Sequence, residues 1–175
     1  SIDNPDSEPN SSSADTTSSD KFNRNLQLHQ LNSRQASSGE YELIRNTTST
    51  SSDVVDSASV INVHKYVWGA TGNNTESPSV TQSVVILLES EADVGVAKEE
   101  VLESYASDID STTDDKISTV EYETRGGFNS SIAVSSHKNL VFFSIEFGGD
   151  DHYPDLVRAN TKRLLEKAES YQENQ

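Results

Sequence analysis

The chain of 175 residues contains no cysteine and no methionine. Without cysteine it has no disulfide framework, no thiolate nucleophile and no cysteine-ligated zinc or iron–sulfur centre. The absence of methionine even at position 1 indicates a processed or trimmed chain, and we expect a mature form that has lost an export signal. The sequence therefore predicts an extracytoplasmic protein, either secreted or held at the cell surface.

Basic side chains and long apolar runs are also scarce. The sequence has 13 lysines and arginines against 29 aspartates and glutamates, which gives a formal net charge of −16. Phosphate backbones and anionic lipid surfaces repel such a chain, so neither nucleic acid nor a membrane surface is an expected partner. The longest apolar run, residues 84–88, is far shorter than the roughly 18 residues of a membrane-spanning helix. The acidic excess fits a salt-adapted, halophilic protein and an ordinary acidic extracellular protein equally well.

Composition divides the chain into three parts. Residues 1–20 are almost entirely polar or acidic, so we expect a disordered leader, with any N-terminal membrane tether already removed from this chain. Residues 21–53 form a poorly defined lead-in with a candidate edge strand at 41–44 and a polar loop at 46–53. The folded domain is expected to span residues 54–175. Four Asn-x-Ser/Thr triplets are candidate glycosylation sites: Asn10, Asn46, Asn73 and Asn129.

Side-chain periodicity predicts the elements of the folded domain. Strands are predicted at residues 58–68, 80–88, 117–124, 130–134 and 140–147, and helices at 90–106 and 156–171. This order, β-β-α-β-β-β-α, predicts an α+β fold, with a mostly antiparallel sheet of about five strands and two helices packed on one of its faces. The same order of elements, from Ala58 to Tyr171, resembles the general plan of small secreted sensor and lipoprotein domains, including the PsbP-like group.

Three aromatic side chains on the first of these strands are candidate ligand-binding residues. His64, Tyr66 and Trp68 fall on one face, because successive side chains of a strand point to opposite faces of the sheet. Such a row of rings can line a ligand groove, or it can pack against the rest of the protein.

A candidate metal site follows the most hydrophobic strand, where Asp150, Asp151 and His152 are consecutive. Carboxylates suit hard cations and imidazole suits transition metals. The competing interpretation is structural, since acidic side chains at the start of a helix are stabilised by the helix dipole. Glu146 lies on the face of its strand opposite Phe143, so we expect it to face solvent.

The chain has no sequence signature of catalysis. It contains no Gly-x-Ser-x-Gly elbow, no glycine-rich phosphate loop and no dinucleotide-binding fingerprint. We therefore predict a non-enzymatic binding or interaction module without a cofactor, whose partner is an unknown protein or small molecule. Two alternatives stay open. One is a metal-binding protein or metal-dependent hydrolase that uses Asp150, Asp151 and His152, and the other is a structural subunit of a surface layer or particle.

Overall fold

The computed structural model describes Phe22 and residues 41–72, 78–106, 111–147 and 151–171. Within this part of the chain there are one seven-stranded sheet, two α-helices and a short 3₁₀ turn. The strands are β1 (Tyr41–Ser49), β2 (Val60–Ala70), β3 (Val80–Leu88), β4 (Thr112–Asp114), β5 (Ile117–Glu123), β6 (Asn129–His137) and β7 (Leu140–Phe147). The 3₁₀ turn (Glu91–Asp93) leads into helix α1 (Val94–Ala106), and helix α2 (Pro154–Ser170) follows β7.

The sheet is antiparallel at every described pair of strands and has the order β1-β2-β3-β7-β6-β5-β4. The predicted α+β fold with a mostly antiparallel sheet is confirmed, but the predicted number of about five strands is wrong. The two strands beyond these five lie at the edges of the sheet, and β1 includes the candidate edge strand at 41–44. β4 has three residues, and β1 continues through the Thr- and Ser-rich stretch that composition assigned to a loop. Pairing with β2 satisfies the backbone groups of that stretch that point toward β2, so its polar composition does not prevent an edge strand.

The two helices cover opposite faces of the sheet. Val84 and Ile86 of β3 belong to an apolar cluster that includes Ala97 of α1. Val85, which lies between them, belongs to a second cluster that includes Leu164 of α2. Because alternate residues of a strand point to opposite faces, the prediction that both helices pack on one face is wrong. The continuous apolar run in β3 already has two faces to bury, and each helix covers one of them.

The ends of the helices follow from local sequence. Ser90 starts the turn before α1, where its Oγ accepts a hydrogen bond from the N–H of Ala92 at 3.1 Å. Pro154 opens α2, at a position where the missing N–H has no helical partner to lose. No helix in the described residues is long and apolar enough to cross a membrane.

Two tight turns contain residues in the left-handed region, one of them without glycine. Asp115 and Lys116, between β4 and β5, have φ angles of 52° and 69°. This two-residue connection with two positive φ angles has the conformation that matches the twist of paired strands. The turn predicted at Gly126 and Gly127 is confirmed, and Gly127 has a φ of 83°.

Phe22 joins the core on the α2 face, far in sequence from its neighbours. Its side chain is only 1% exposed, and its backbone is held by Asn139 in the turn between β6 and β7. Asn139 Oδ1 accepts from the Phe22 N–H at 2.7 Å, and Nδ2 donates to the carbonyl oxygens of Phe22 at 2.8 Å and Leu88 at 2.7 Å. One buried amide therefore anchors a residue that lies within the lead-in predicted from composition.

Candidate ligand-binding site

Helix α1 covers only part of its face of the sheet, so this face has a step between α1 and the uncovered strands β1 and β2. Both helices pack mainly over β5, β6 and β7, and neither makes its main contacts with β1 or β2. Residues 50–59, between β1 and β2, turn back against α1, where Val55 enters the core and Ser57 Oγ donates to Glu100 Oε1 at 2.9 Å. A cavity of about 260 Å³ lies between this segment, α1 and the sheet, and we call it the step cavity.

The step cavity has an apolar floor and a polar rim. Val63, Val84 and Phe143 form the floor, and Tyr105 of α1 forms a wall, with its ring centre 5.8 Å from that of Phe143. The remaining lining residues are Thr47, Ser49, Ser51, Ser52, Asp53, Val54 and Lys65. An apolar surface with a few placed polar groups is typical of small-molecule sites, although this volume lies just below their usual range of about 300–1,000 Å³.

The rim is held in shape by its own hydroxyl groups. Ser49 Oγ donates to the Ser51 carbonyl at 2.9 Å and accepts from the Ser51 N–H at 3.1 Å. Ser52 Oγ accepts from the N–H groups of Val54 at 3.1 Å and Val55 at 3.2 Å. Short side-chain to backbone bonds of this kind fix turns, so the wall of the cavity is built before any ligand arrives.

Two opposite charges line the step cavity. Lys65 lies in a cross-strand row between Thr47 of β1 and Val84 of β3. Asp53 lies beside Tyr105, and burial together with the Asp53 carboxylate raises the pKa of the Tyr105 hydroxyl. The sequence did not indicate this site, because its residues come from segments nearly 100 positions apart and carry no local motif.

The three aromatic residues predicted to bind a ligand lie on the other face of β2. Their shared face is confirmed: the ring centres of His64 and Tyr66 are 4.6 Å apart, and those of Tyr66 and Trp68 are 5.8 Å apart, both edge to face. His64 is 2% exposed and Tyr66 is 7% exposed, which leaves little ring surface for a ligand. Their ligand-binding role stays a prediction.

Glu146, expected to face solvent, is fully buried. It points to the α2 face, in a row with Thr81 of β3 and Ser131 of β6. Oε2 accepts from the Tyr153 N–H at 3.1 Å, whereas Oε1 has no hydrogen-bond partner in the described part of the chain. Burial raises the pKa of Glu146, and hydrogen bonds from Tyr153 and Ser131 oppose the rise. The apolar run of residues 140–143 at the start of β7 was the available signal, since such a run is typical of a strand covered on both faces.

Of the three predicted metal ligands, Asp150 lies outside the described residues. Asp151 is exposed, and His152 is partly buried with Nδ1 2.8 Å from the Ser130 carbonyl oxygen. A carbonyl only accepts, so Nδ1 donates and Nε2 is left for another partner. Among the described residues, no group of three or more His, Asp or Glu is placed to hold a metal ion. Metal binding through Asp150, Asp151 and His152 therefore stays a prediction.

The candidate glycosylation sites have different surroundings. Asn46 is exposed on the edge strand β1, and Asn129 is partly buried at the start of β6. Asn10 and Asn73 lie outside the described residues.

Comparison with protein-family profiles and with curated protein sequences found no match. The structure is similar to that of the extracellular domain of PknH from Mycobacterium tuberculosis, with a TM-score of 0.55 and 14% sequence identity. The similarity covers 83% of this chain and 93% of that domain. At this level of identity the comparison shows a shared fold, and the protein that shares it is an extracellular domain.

Proposed function

We propose that the chain is an extracytoplasmic, non-enzymatic binding module whose small-molecule ligand occupies the step cavity. The observation that carries this proposal is the cavity itself, in which charged, hydroxyl and apolar side chains from β1, β2, α1 and residues 51–54 meet around about 260 Å³. Its wall is fixed by the Ser49 and Ser52 hydroxyls and by the bond from Ser57 to Glu100. A preformed site loses less free energy in ordering when it binds.

The chemistry of the lining supports binding over catalysis. General-base activation of a serine needs a base within hydrogen-bond reach of the hydroxyl. On this rim the Ser49 and Ser52 hydroxyls bond to backbone groups instead. Among the described residues, those that line the cavity include no histidine.

The extracytoplasmic location is supported by two independent observations. The polar, serine-rich composition of residues 1–20 is common in the spacers of exported proteins. The fold is shared with a domain that functions outside the cell in a mycobacterial protein.

The proposal is tested by ligand-observed NMR and thermal unfolding with a panel of free amino acids, monosaccharides, nucleosides, dicarboxylic acids and divalent metal salts. Thr47→Trp places a large ring over the step cavity, because Thr47 pairs with Lys65 on that face. Thr48→Trp is the matched control, because Thr48 is also exposed on β1 but pairs with His64 on the opposite face. We expect an organic compound that binds the wild type and Thr48→Trp but not Thr47→Trp.

Other outcomes would overturn the proposal in distinct ways. If Thr48→Trp alone abolishes binding, the ligand uses the face with His64, Tyr66 and Trp68. A response to zinc or calcium alone that Thr47→Trp retains would favour the predicted metal site at Asp150, Asp151 and His152. No binding by any compound, together with a discrete oligomer at both low and high salt, would favour a structural subunit.

A further inference from the structure

We propose that the step cavity recognises a zwitterion of the α-amino-acid type. In this arrangement Asp53 receives the ammonium group, Lys65 receives the carboxylate, and an aliphatic side chain lies on the floor of the cavity. The inference rests on the proposed function and names the class of ligand for the same site.

The charges of Asp53 and Lys65 are available to a ligand. Both side chains line the cavity, and within the described residues neither takes part in an ion pair, with each other or with a third group. An acid and a base that line one cavity without touching present opposite charges to whatever lies between them. Asp53 is exposed at the rim and Lys65 is half-buried, and charged hydrogen bonds are roughly twice as strong as neutral ones, so these two groups would orient a ligand in the cavity.

The two charges lie at different sides of the apolar floor. Lys65 is on the β1 side, where Thr47 is its cross-strand neighbour. Asp53 is on the α1 side, because it belongs to the segment that turns back against α1 and lines the cavity together with Tyr105. Val84 and Phe143 continue the row that starts at Lys65, so apolar surface begins directly beside the base. Ammonium, carboxylate and a compact apolar group are the three parts of an aliphatic amino acid.

Other ligand classes match this lining less well. The net charge of −16 repels an anion before it reaches the cavity, whereas a zwitterion has no net charge to be repelled. A simple cation leaves Lys65 facing a like charge. An uncharged sugar removes water from Asp53 and Lys65 without supplying the charge that each needs, and this desolvation is costly.

The test is isothermal titration calorimetry of the full chain with L-leucine, L-leucinamide and N-acetyl-L-leucine. Leucinamide lacks the carboxylate, and N-acetyl-leucine lacks the ammonium group. We expect each derivative to bind about 10- to 100-fold more weakly than leucine, as for the loss of one charged hydrogen bond. L-Valine and L-phenylalanine serve as smaller and larger probes of the apolar floor.

Two variants connect each charge to its partner. Asp53→Asn should weaken leucine and leucinamide and leave N-acetyl-leucine unchanged. Lys65→Gln should weaken leucine and N-acetyl-leucine and leave leucinamide unchanged. Asp56→Asn and Lys98→Gln remove the same charges from residues outside the cavity lining, so both should bind leucine as the wild type does.

Three results would overturn the zwitterion assignment. The first is equal affinity for leucine and its two derivatives. The second is that Asp53→Asn and Lys65→Gln both weaken the binding of leucine, leucinamide and N-acetyl-leucine by the same factor. The third is that leucine, valine and phenylalanine all fail to bind. If a monosaccharide or another panel compound binds instead and Thr47→Trp blocks it, the proposed function stands and only the ligand class is wrong.

Discussion

The buried carboxyl of Glu146 makes the stability of this protein depend on pH in a defined direction. The perturbation is Glu146→Gln, which keeps the shape of the side chain and an oxygen that can accept from the Tyr153 N–H. It removes the titratable group and the negative charge from a fully buried position where Oε1 has no partner in the described residues.

The sign follows from proton linkage. Burial raises the folded-state pKa of Glu146 above its ordinary value of 4.5. Between the two pKa values the folded protein holds a proton that the unfolded chain has lost, so wild-type stability falls as pH rises through this window. One proton corresponds to a slope of at most about 1.4 kcal/mol per pH unit. Above the raised pKa, the stability that the wild type loses through ionisation of Glu146 reaches a constant value. Glu146→Gln has no carboxyl group at this position, so it does not lose this stability at any pH.

The assay is urea unfolding at a series of pH values from 5 to 8, followed by the fluorescence of the single tryptophan, Trp68. The series starts at pH 5 because the isoelectric point of the chain is about 4.4. We expect the stability of Glu146→Gln relative to wild type to increase with pH and then level off. Glu121→Gln is the matched control, since Glu121 lies in the same cross-strand row beyond Ser131 but is exposed. Parallel pH profiles for wild type and Glu146→Gln would refute the reasoning.

Two further predictions concern the anchor and a turn. Phe22→Ala should destabilise the protein by about 3–5 kcal/mol as a buried large-to-small change. Asn139→Ala, which removes three hydrogen bonds to the Phe22 and Leu88 backbone groups, should cost about 1–3 kcal/mol for each group that it leaves unsatisfied. A double-mutant cycle measured by urea unfolding should show that the two losses are not additive, and additivity would contradict the anchoring role. Lys116→Gly should stabilise by about 0.5–1 kcal/mol, because glycine adopts its φ of 69° without strain. A lower unfolding midpoint for this variant would contradict that account, since the ion pair lost with Glu169 is largely exposed.

Local sequence was sufficient for most of the secondary structure. Alternation identified β2 and β5, and helical spacing identified α1 and α2 together with Ser90 and Pro154 at their starts. These signals depend only on neighbouring residues, through backbone geometry and capping chemistry. The same reasoning placed His64, Tyr66 and Trp68 on one face.

The tertiary structure decided what covers each face. Glu146 is buried because α2 packs on the face that would otherwise meet solvent. The apolar run at the start of β7 indicates a strand covered on both faces, but it does not specify which later element covers them. β1 extends through a polar stretch because β2 offers it backbone partners. The step cavity exists because α1 does not extend over β1 and β2. Asp53 and Lys65, which come from different segments, meet there around a floor that includes Phe143. Sequence determines the local elements, whereas burial and site geometry come from contacts between residues far apart in the chain.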